Sequence, residues 1–162
     1  MNERVLRAKE IATAAHNGQK DKGGNDYIDH PRRVAEAVAH LGEDYEIVGW
    51  LHDVVEDTPI TLDEIRREFG DVIADAVDSV TRRERESLHI QQREVYTEYI
   101  LRAKKNEIGK QVKIADLLDN MQPDRLAQLP QHEQGVIKRY LRAMYRLTDD
   151  EFWNRTEEAI FC

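Results

Sequence analysis

The chain has 162 residues, 40% of them apolar and 35% charged, with a formal net charge of −8. That length suits one domain with a sizeable core, and the acidic balance excludes broad electrostatic binding to a nucleic acid polymer, which needs a basic footprint. No stretch approaches the ~18 apolar residues of a membrane span, and the opening "MNERVLRAKE" lacks the apolar core of a signal peptide.

Apolar residues recur at helical spacing along most of the chain, and no period-2 strand pattern stands out. A first helix is expected over residues 3–16, with Val5, Leu6, Ile11 and Ala12 toward the core. The polar loop "NGQKDKGGNDYID" follows, and Pro31 suits the first turn of a second helix running to Leu41. A third helix is expected over 44–56. In "TPITLDEIRREFG", Thr61 and Glu64 make a capping-box pattern and Gly70 a stop. Further helices are expected over 71–80, over 88–105 after the charged "TRRERES", and over 107–121. Within that charged stretch, residues 82–86 read as a solvated loop. After "QPDRLAQLP", an amphipathic helix over 131–147 leads into a tail, giving a helical C-terminal region over 131–160. Phe152, Trp153, Ile160 and Phe161 of that tail would pack within the chain or across a homo-oligomer interface. Cys162 is the single cysteine, so no intrachain disulfide forms, and a cytoplasmic location is expected. The expected fold is all-α, a single compact helical bundle with one domain over 1–162.

One stretch does not read as scaffold. "GWLHDVVEDTP", residues 49–59, sets one imidazole and three carboxylates among Trp50, Leu51, Val54 and Val55. On a continuous helix, His52 and Glu56 share one face, as do Asp53 and Asp57. The adjacent His52 and Asp53 would suit a divalent cation, which needs further ligands from elsewhere in the chain. His30 stands directly before Pro31, a position pushed out of the α region, so it marks a fixed helix start. In "GKQVKIADLLDNM", Ile114, Leu117, Leu118 and Met121 form one apolar face, and Lys113, Asp116 and Asn120 a narrow stripe with Asp119 at its edge. Val112 and Ala115 lie on the far side, so the helix reads as buried nearly all round. An unpaired Asp116 there would cost several kcal/mol, so it needs a cation, strong hydrogen bonds, or Lys113 as its partner.

The ordered set His30, His52-Asp53 and Asp116 resembles the HD superfamily of metal-dependent phosphohydrolases. Within it, the chain is most similar to the hydrolase domain of the RelA/SpoT proteins and to the small alarmone hydrolases. The segments that carry this are "AHNGQKDKGGNDYIDHPRRVA", "LHDVVEDTPITLDEIRREFG", "VIADAVDSVT" and "VKIADLLDNM", a motif core from about residue 10 to 122. The resemblance implies an HD-domain helical bundle in which His30, His52, Asp53 and Asp116 hold one divalent metal, Mn²⁺. It gives Glu56 and Asp57 the task of positioning or deprotonating the attacking water, and Asn120 a contact to the nucleoside or ribose. Tyr27 and Lys113 become pocket residues, His16 a structural histidine beside the pocket, and the partner a small nucleotide. The implied activity is that of a guanosine 3′,5′-bis(diphosphate) 3′-pyrophosphohydrolase, and the chain has no room for a synthetase domain.

The sequence departs from the alarmone hydrolases at particular positions. Asp21 stands where those enzymes carry an arginine that stacks on guanine, flanked by Lys20 and by Lys22, a candidate phosphate contact. Leu117 and Pro123 replace a basic and a polar residue of the family pattern, and "VTRRERESLHIQQREVYTEYILRAKK" is closer to small bacterial and phage HD proteins. These departures favour, as alternatives, a general nucleotidase acting on nucleoside monophosphates or a nucleotide-binding regulator without catalysis. The acidic pair Glu56–Asp57 speaks against the regulator, because a pure binder has no use for carboxylates aimed at water.

Overall fold

The computed structural model describes residues 2–87 and 90–149. The tail that carries Phe152, Trp153, Ile160 and Phe161, and also His89 and Cys162, lies outside the described residues. Ten α-helices occur among the described residues, beginning with α1 (Glu3–Ala15), α2 (Asp29–Val38) and α3 (Glu43–Leu51). They continue with α4 (Val54–Asp57), α5 (Leu62–Phe69), α6 (Asp71–Ser79) and α7 (Tyr96–Lys105), then α8 (Glu107–Asn120), α9 (Pro123–Ala127) and α10 (Val136–Thr148). A hairpin of β1 (Glu84–Ser87) and β2 (Ile90–Arg93) is inserted before α7. No helix among the described residues is long and apolar enough to cross a membrane.

Side-chain caps fix several helix starts. Asn2 accepts from the Arg4 amide at 3.1 Å, and Asn106 from the Gly109 amide at 2.8 Å, each satisfying a backbone donor that a first turn leaves open. The Thr61–Glu64 capping box is present, and Gly70, at φ 89°, ends α5 in a conformation that glycine adopts without strain.

Two apolar clusters meet at α8. The larger joins α1, α2, α3 and α6 through residues such as Val34, Ile47, Leu51, Ile73 and Val112. The smaller joins α7 and α10 through Tyr99, Ile100, Leu117, Ala143 and Leu147. With a cluster on each side, α8 is apolar on both flanks, and Lys113, Asp116 and Asp119 are buried on it. Two details of the expected faces differ. Leu6 is 44% exposed and Leu118 54% exposed; Ala8 and Leu117 hold the buried positions instead.

Four expected elements change. The second helix starts at Asp29, so His30 is helical although it precedes Pro31. The helix over 44–56 is broken: α3 stops at Leu51, Asp53 takes φ −101° and ψ −6°, and one further turn, α4, carries Glu56 and Asp57. The helix over 88–105 begins only at Tyr96, because residues 84–87 pair antiparallel with residues 90–93, Glu84 opposite Arg93 and Ser87 opposite Ile90. Its base is tied down by the buried Glu94, whose carboxylate accepts from Arg102 Nε at 2.7 Å and from the Arg83 amide at 3.1 Å. Arg102 also donates to the carbonyls of Asp78 and Thr81, at 2.8 and 2.7 Å. The helix expected over 131–147 starts at Val136, after a short 3₁₀ turn over Gln131–Glu133.

The closest approach between α2 and α3 is at Gly49, where an added Cβ would lie 2.6 Å from Ala35 Cα and 3.0 Å from its amide nitrogen. Backbone cannot move aside as a side chain can. Gly49→Ala is therefore expected to lower unfolding stability by about 1–3 kcal/mol. A urea midpoint equal to that of the unsubstituted protein would contradict this packing.

Candidate metal centre

The break between α3 and α4 is where the chemistry gathers. His52 and Asp53 occupy it, His30 comes from the first turn of α2, and Asp116 from the buried stripe of α8. The two imidazole Nε2 atoms lie 3.3 Å apart. Asp53 Oδ2 is 3.0 Å from His52 Nε2 and 3.6 Å from His30 Nε2. Asp116 Oδ1 is 3.0 Å from His30 Nε2 and 3.8 Å from His52 Nε2. His30, His52 and Asp53 each offer a ligand atom within 4.8 Å of the others. The four side chains named from the sequence thus converge on one point.

The far nitrogens decide what that point accepts. His52 Nδ1 donates to the Gly49 carbonyl at 2.8 Å, which fixes its proton there. His30 Nδ1 lies between Asp119 Oδ2, 2.6 Å away, to which it can donate, and Arg125 Nη1, 2.7 Å away. When both rings are neutral with their protons on Nδ1, each presents an Nε2 lone pair, and two such lone pairs 3.3 Å apart repel unless a proton or a metal cation sits between them. The surroundings favour positive charge: burial works against a charged His52, yet Asp53 and then Asp116 lift its pKa to about 9. Two imidazole nitrogens and two carboxylate oxygens are a donor set for a divalent transition metal, so the residues present fit such an ion.

Asp116 does not choose between its two expected partners. Its Oδ2 accepts from Lys113 Nζ at 2.6 Å, and its Oδ1, bonded by Asn120 Nδ2 at 2.8 Å, faces the histidines. Burial alone would raise its pKa, but the Lys113 ammonium and the histidines pull it well below the usual carboxylate range. Tyr27 donates its phenol to Asp53 Oδ2 at 2.6 Å and lies 3.4 Å from Asp57 Oδ2. Burial, then the Asp53 charge, keeps that phenol protonated far above neutral pH.

Glu56 and Asp57 line the same cavity of about 240 Å³ as His30, Asp53 and Asp116. Burial first, then the charges of Asp53 and Glu56, push the Asp57 carboxyl up to about 6. Glu56 Oε1 accepts from the Arg82 amide at 2.7 Å, which holds α4 against the segment leading to the hairpin. A second cavity of about 390 Å³ shares Tyr27, Asn120, Arg139 and Tyr140 with the first. Lys22 lines this larger cavity, away from the His30–His52 cluster, and pairs with Glu133. Asp21 is consumed by its own loop, accepting from the amides of Gly23 and Asn25, both at 2.9 Å.

Asp119 is the residue whose importance the sequence does not disclose. Only 5% exposed, it takes His30 Nδ1, Arg33 Nε at 2.6 Å and Arg125 Nη1 at 2.7 Å. Its place beside the Asp116 stripe was the one available signal, because its partner His30 is 89 residues away along the chain.

Comparison with known proteins agrees with this arrangement. The family described as "HD domain" matches residues 8–146. The chain is 36% identical over 133 residues to a GTP pyrophosphokinase of Streptomyces coelicolor, covering 80% of this chain and 16% of that protein. It is 39% identical over 121 residues to a guanosine-3′,5′-bis(diphosphate) 3′-pyrophosphohydrolase of Aquifex aeolicus, covering 74% of this chain and 17% of that protein. The chain therefore spans only 16–17% of the length of these two relatives. Its fold is similar to that of a metazoan ortholog of SpoT that hydrolyses ppGpp, with a TM-score of 0.74 at 21% identity, covering 91% of this chain and 86% of the other.

A carboxylate behind a ligating histidine fixes the ring and raises its basicity, and its loss weakens metal binding about 10–100-fold. Asp119→Asn is expected to do this here. Calorimetric titration of the metal-stripped protein with Mn²⁺ measures it, and an unchanged affinity would show that His30 is oriented without Asp119.

Proposed function

The chain belongs to the HD-domain family, and from that premise we propose that it is a metal-dependent phosphohydrolase acting on guanosine 3′,5′-bis(diphosphate). Water would attack the 3′-diphosphate, releasing GDP and pyrophosphate. The observation that carries this reading is the pair of imidazole Nε2 atoms 3.3 Å apart, with two carboxylates around them and a second acidic pair in the same cavity. His30, His52, Asp53 and Asp116 would hold one Mn²⁺. When bound, such an ion lowers the pKa of water and polarises a phosphoryl oxygen.

The chain supplies the remaining tasks. Asp57, with its carboxyl pushed up to about 6, is ionised at neutral pH yet basic enough to take a proton from the attacking water. Glu56 orients that water. Tyr27 holds Asp53 and Asp57 at a fixed separation through its hydroxyl. Lys113 keeps Asp116 ionised as a ligand. The nucleoside would occupy the larger cavity, with Asn120 at the junction reaching the ribose and Lys22 on its wall available to phosphate.

Asp21 favours a second reading. Bound within its own loop, it cannot supply a cation to stack on guanine, which suits a nucleotidase less strict about the base. Incubation with Mn²⁺ separates the two. Guanosine tetraphosphate is expected to yield GDP and pyrophosphate, whereas turnover confined to nucleoside monophosphates would establish the nucleotidase.

Asp57→Asn is expected to lower kcat about 10²–10⁴-fold. Because the base works only when deprotonated, the rate should fall with pH through a value no higher than about 6, a bound cation pulling it lower still. An acid limb that persists unchanged in Asp57→Asn would remove Asp57 from this role.

A further inference from the structure

The helix that carries the acidic pair cannot hold its own position. α4 has four residues, a single turn, and an isolated turn of helix is unstable because nucleation fixes several dihedrals for one hydrogen bond. Thr58 leaves it in an extended conformation, so the Asp57 carbonyl is one of the open acceptors of a helix end. That carbonyl accepts from Gln19 Nε2 at 3.0 Å, a residue of the loop after α1. Gln19 is also the neck of that loop, its carbonyl accepting the Tyr27 amide at 3.0 Å. One residue therefore grips both Asp57 and the tyrosine that bridges Asp53 and Asp57.

The direction of each bond is determined. A carbonyl only accepts, so the Gln19 nitrogen faces Asp57 and its Oε1 faces His16 Nδ1, 2.9 Å away. His16 Nδ1 must then carry the ring proton and Nε2 must be bare. His16 is 2% exposed, packs on the Tyr27 ring at 5.0 Å between centroids, and its Nε2 has no partner among the described residues. Burial lowers its pKa, in keeping with a neutral ring. A buried imidazole that makes one side-chain hydrogen bond is a poor packing element, since an apolar side chain would fill the space without desolvating two nitrogens. Its single bond is what sets the Gln19 amide.

We propose that Gln19, oriented by His16, is a positioning residue for hydrolysis, holding Asp57 and Tyr27 in register with the metal ligands; this rests on the reading of Asp57 as the base. The test uses the full chain loaded with Mn²⁺ and guanosine tetraphosphate. Displacing a catalytic group by an ångström costs about 10²-fold in rate. Gln19→Leu and His16→Leu are each expected to lower kcat by about that factor, with KM and Mn²⁺ affinity unchanged. His16→Asn, whose amide nitrogen overlies Nδ1, should restore most of the rate. Because both residues act through one chain of bonds, the double leucine variant should be no slower than the slower single one.

Unsubstituted kcat in Gln19→Leu, beside a crippled Asp57→Asn, would overturn the inference and leave the base in place. Single effects that multiply in the double variant would overturn it too. Full turnover by Asp57→Asn would instead remove the base, and the inference with it.

Discussion

Two imidazole rings meet nearly at right angles inside this protein, one with its outer nitrogen on a backbone carbonyl and the other with its outer nitrogen against a carboxylate. Much of the surrounding architecture is arranged to keep that contact in place. The break after Leu51 turns Asp53 toward it, Gly49 brings α2 and α3 close enough for His30 and His52 to meet, and the carbonyl of the same glycine fixes one ring. Two imidazole nitrogens and two carboxylates, held together by packing from several helices, form a cluster that could hold a metal cation without rearrangement.

Burying that many ionisable groups is tolerable only because few of them stand alone. The stripe on α8 runs between two apolar clusters, where an isolated charge would cost far more than any one hydrogen bond returns. Lys113 neutralises one side of Asp116, and Arg33 and Arg125 close on Asp119. The carboxylates of the stripe thus each meet a basic side chain, and Asp116 Oδ1 is left facing the two histidines.

The clustering of the proposed ligand residues is legible in the sequence because each sits in a distinctive local context. His30 precedes a proline, His52-Asp53 interrupts an apolar run, and Asp116 lies on a helix apolar on both flanks. The all-α body is legible for the same reason, through its period and its caps. What orients these residues is not legible. Asp119 and Gln19 act on partners remote in sequence, and no local pattern separates them from ordinary polar residues. The hairpin escapes because "ERESLHIQQR" has no alternating apolar face. It is held at its base by the long-range contacts of Arg102 with Glu94 and Thr81. Leu6 and Leu118 show the limit of periodicity, which gives a face but not how far the neighbouring helix covers it.

Arg125 belongs to two places at once. Its guanidinium lines the larger cavity and also completes the carboxylate cluster behind His30. An anionic guest that drew it aside would alter the basicity of the His30 ring, whose Nδ1 lies 2.7 Å from the same guanidinium nitrogen. Thermodynamic reciprocity then requires the ion to change the guest's affinity by the same factor. Occupancy of one chamber would then be felt in the other through a single side chain that lines one and reaches the His30 ring of the other.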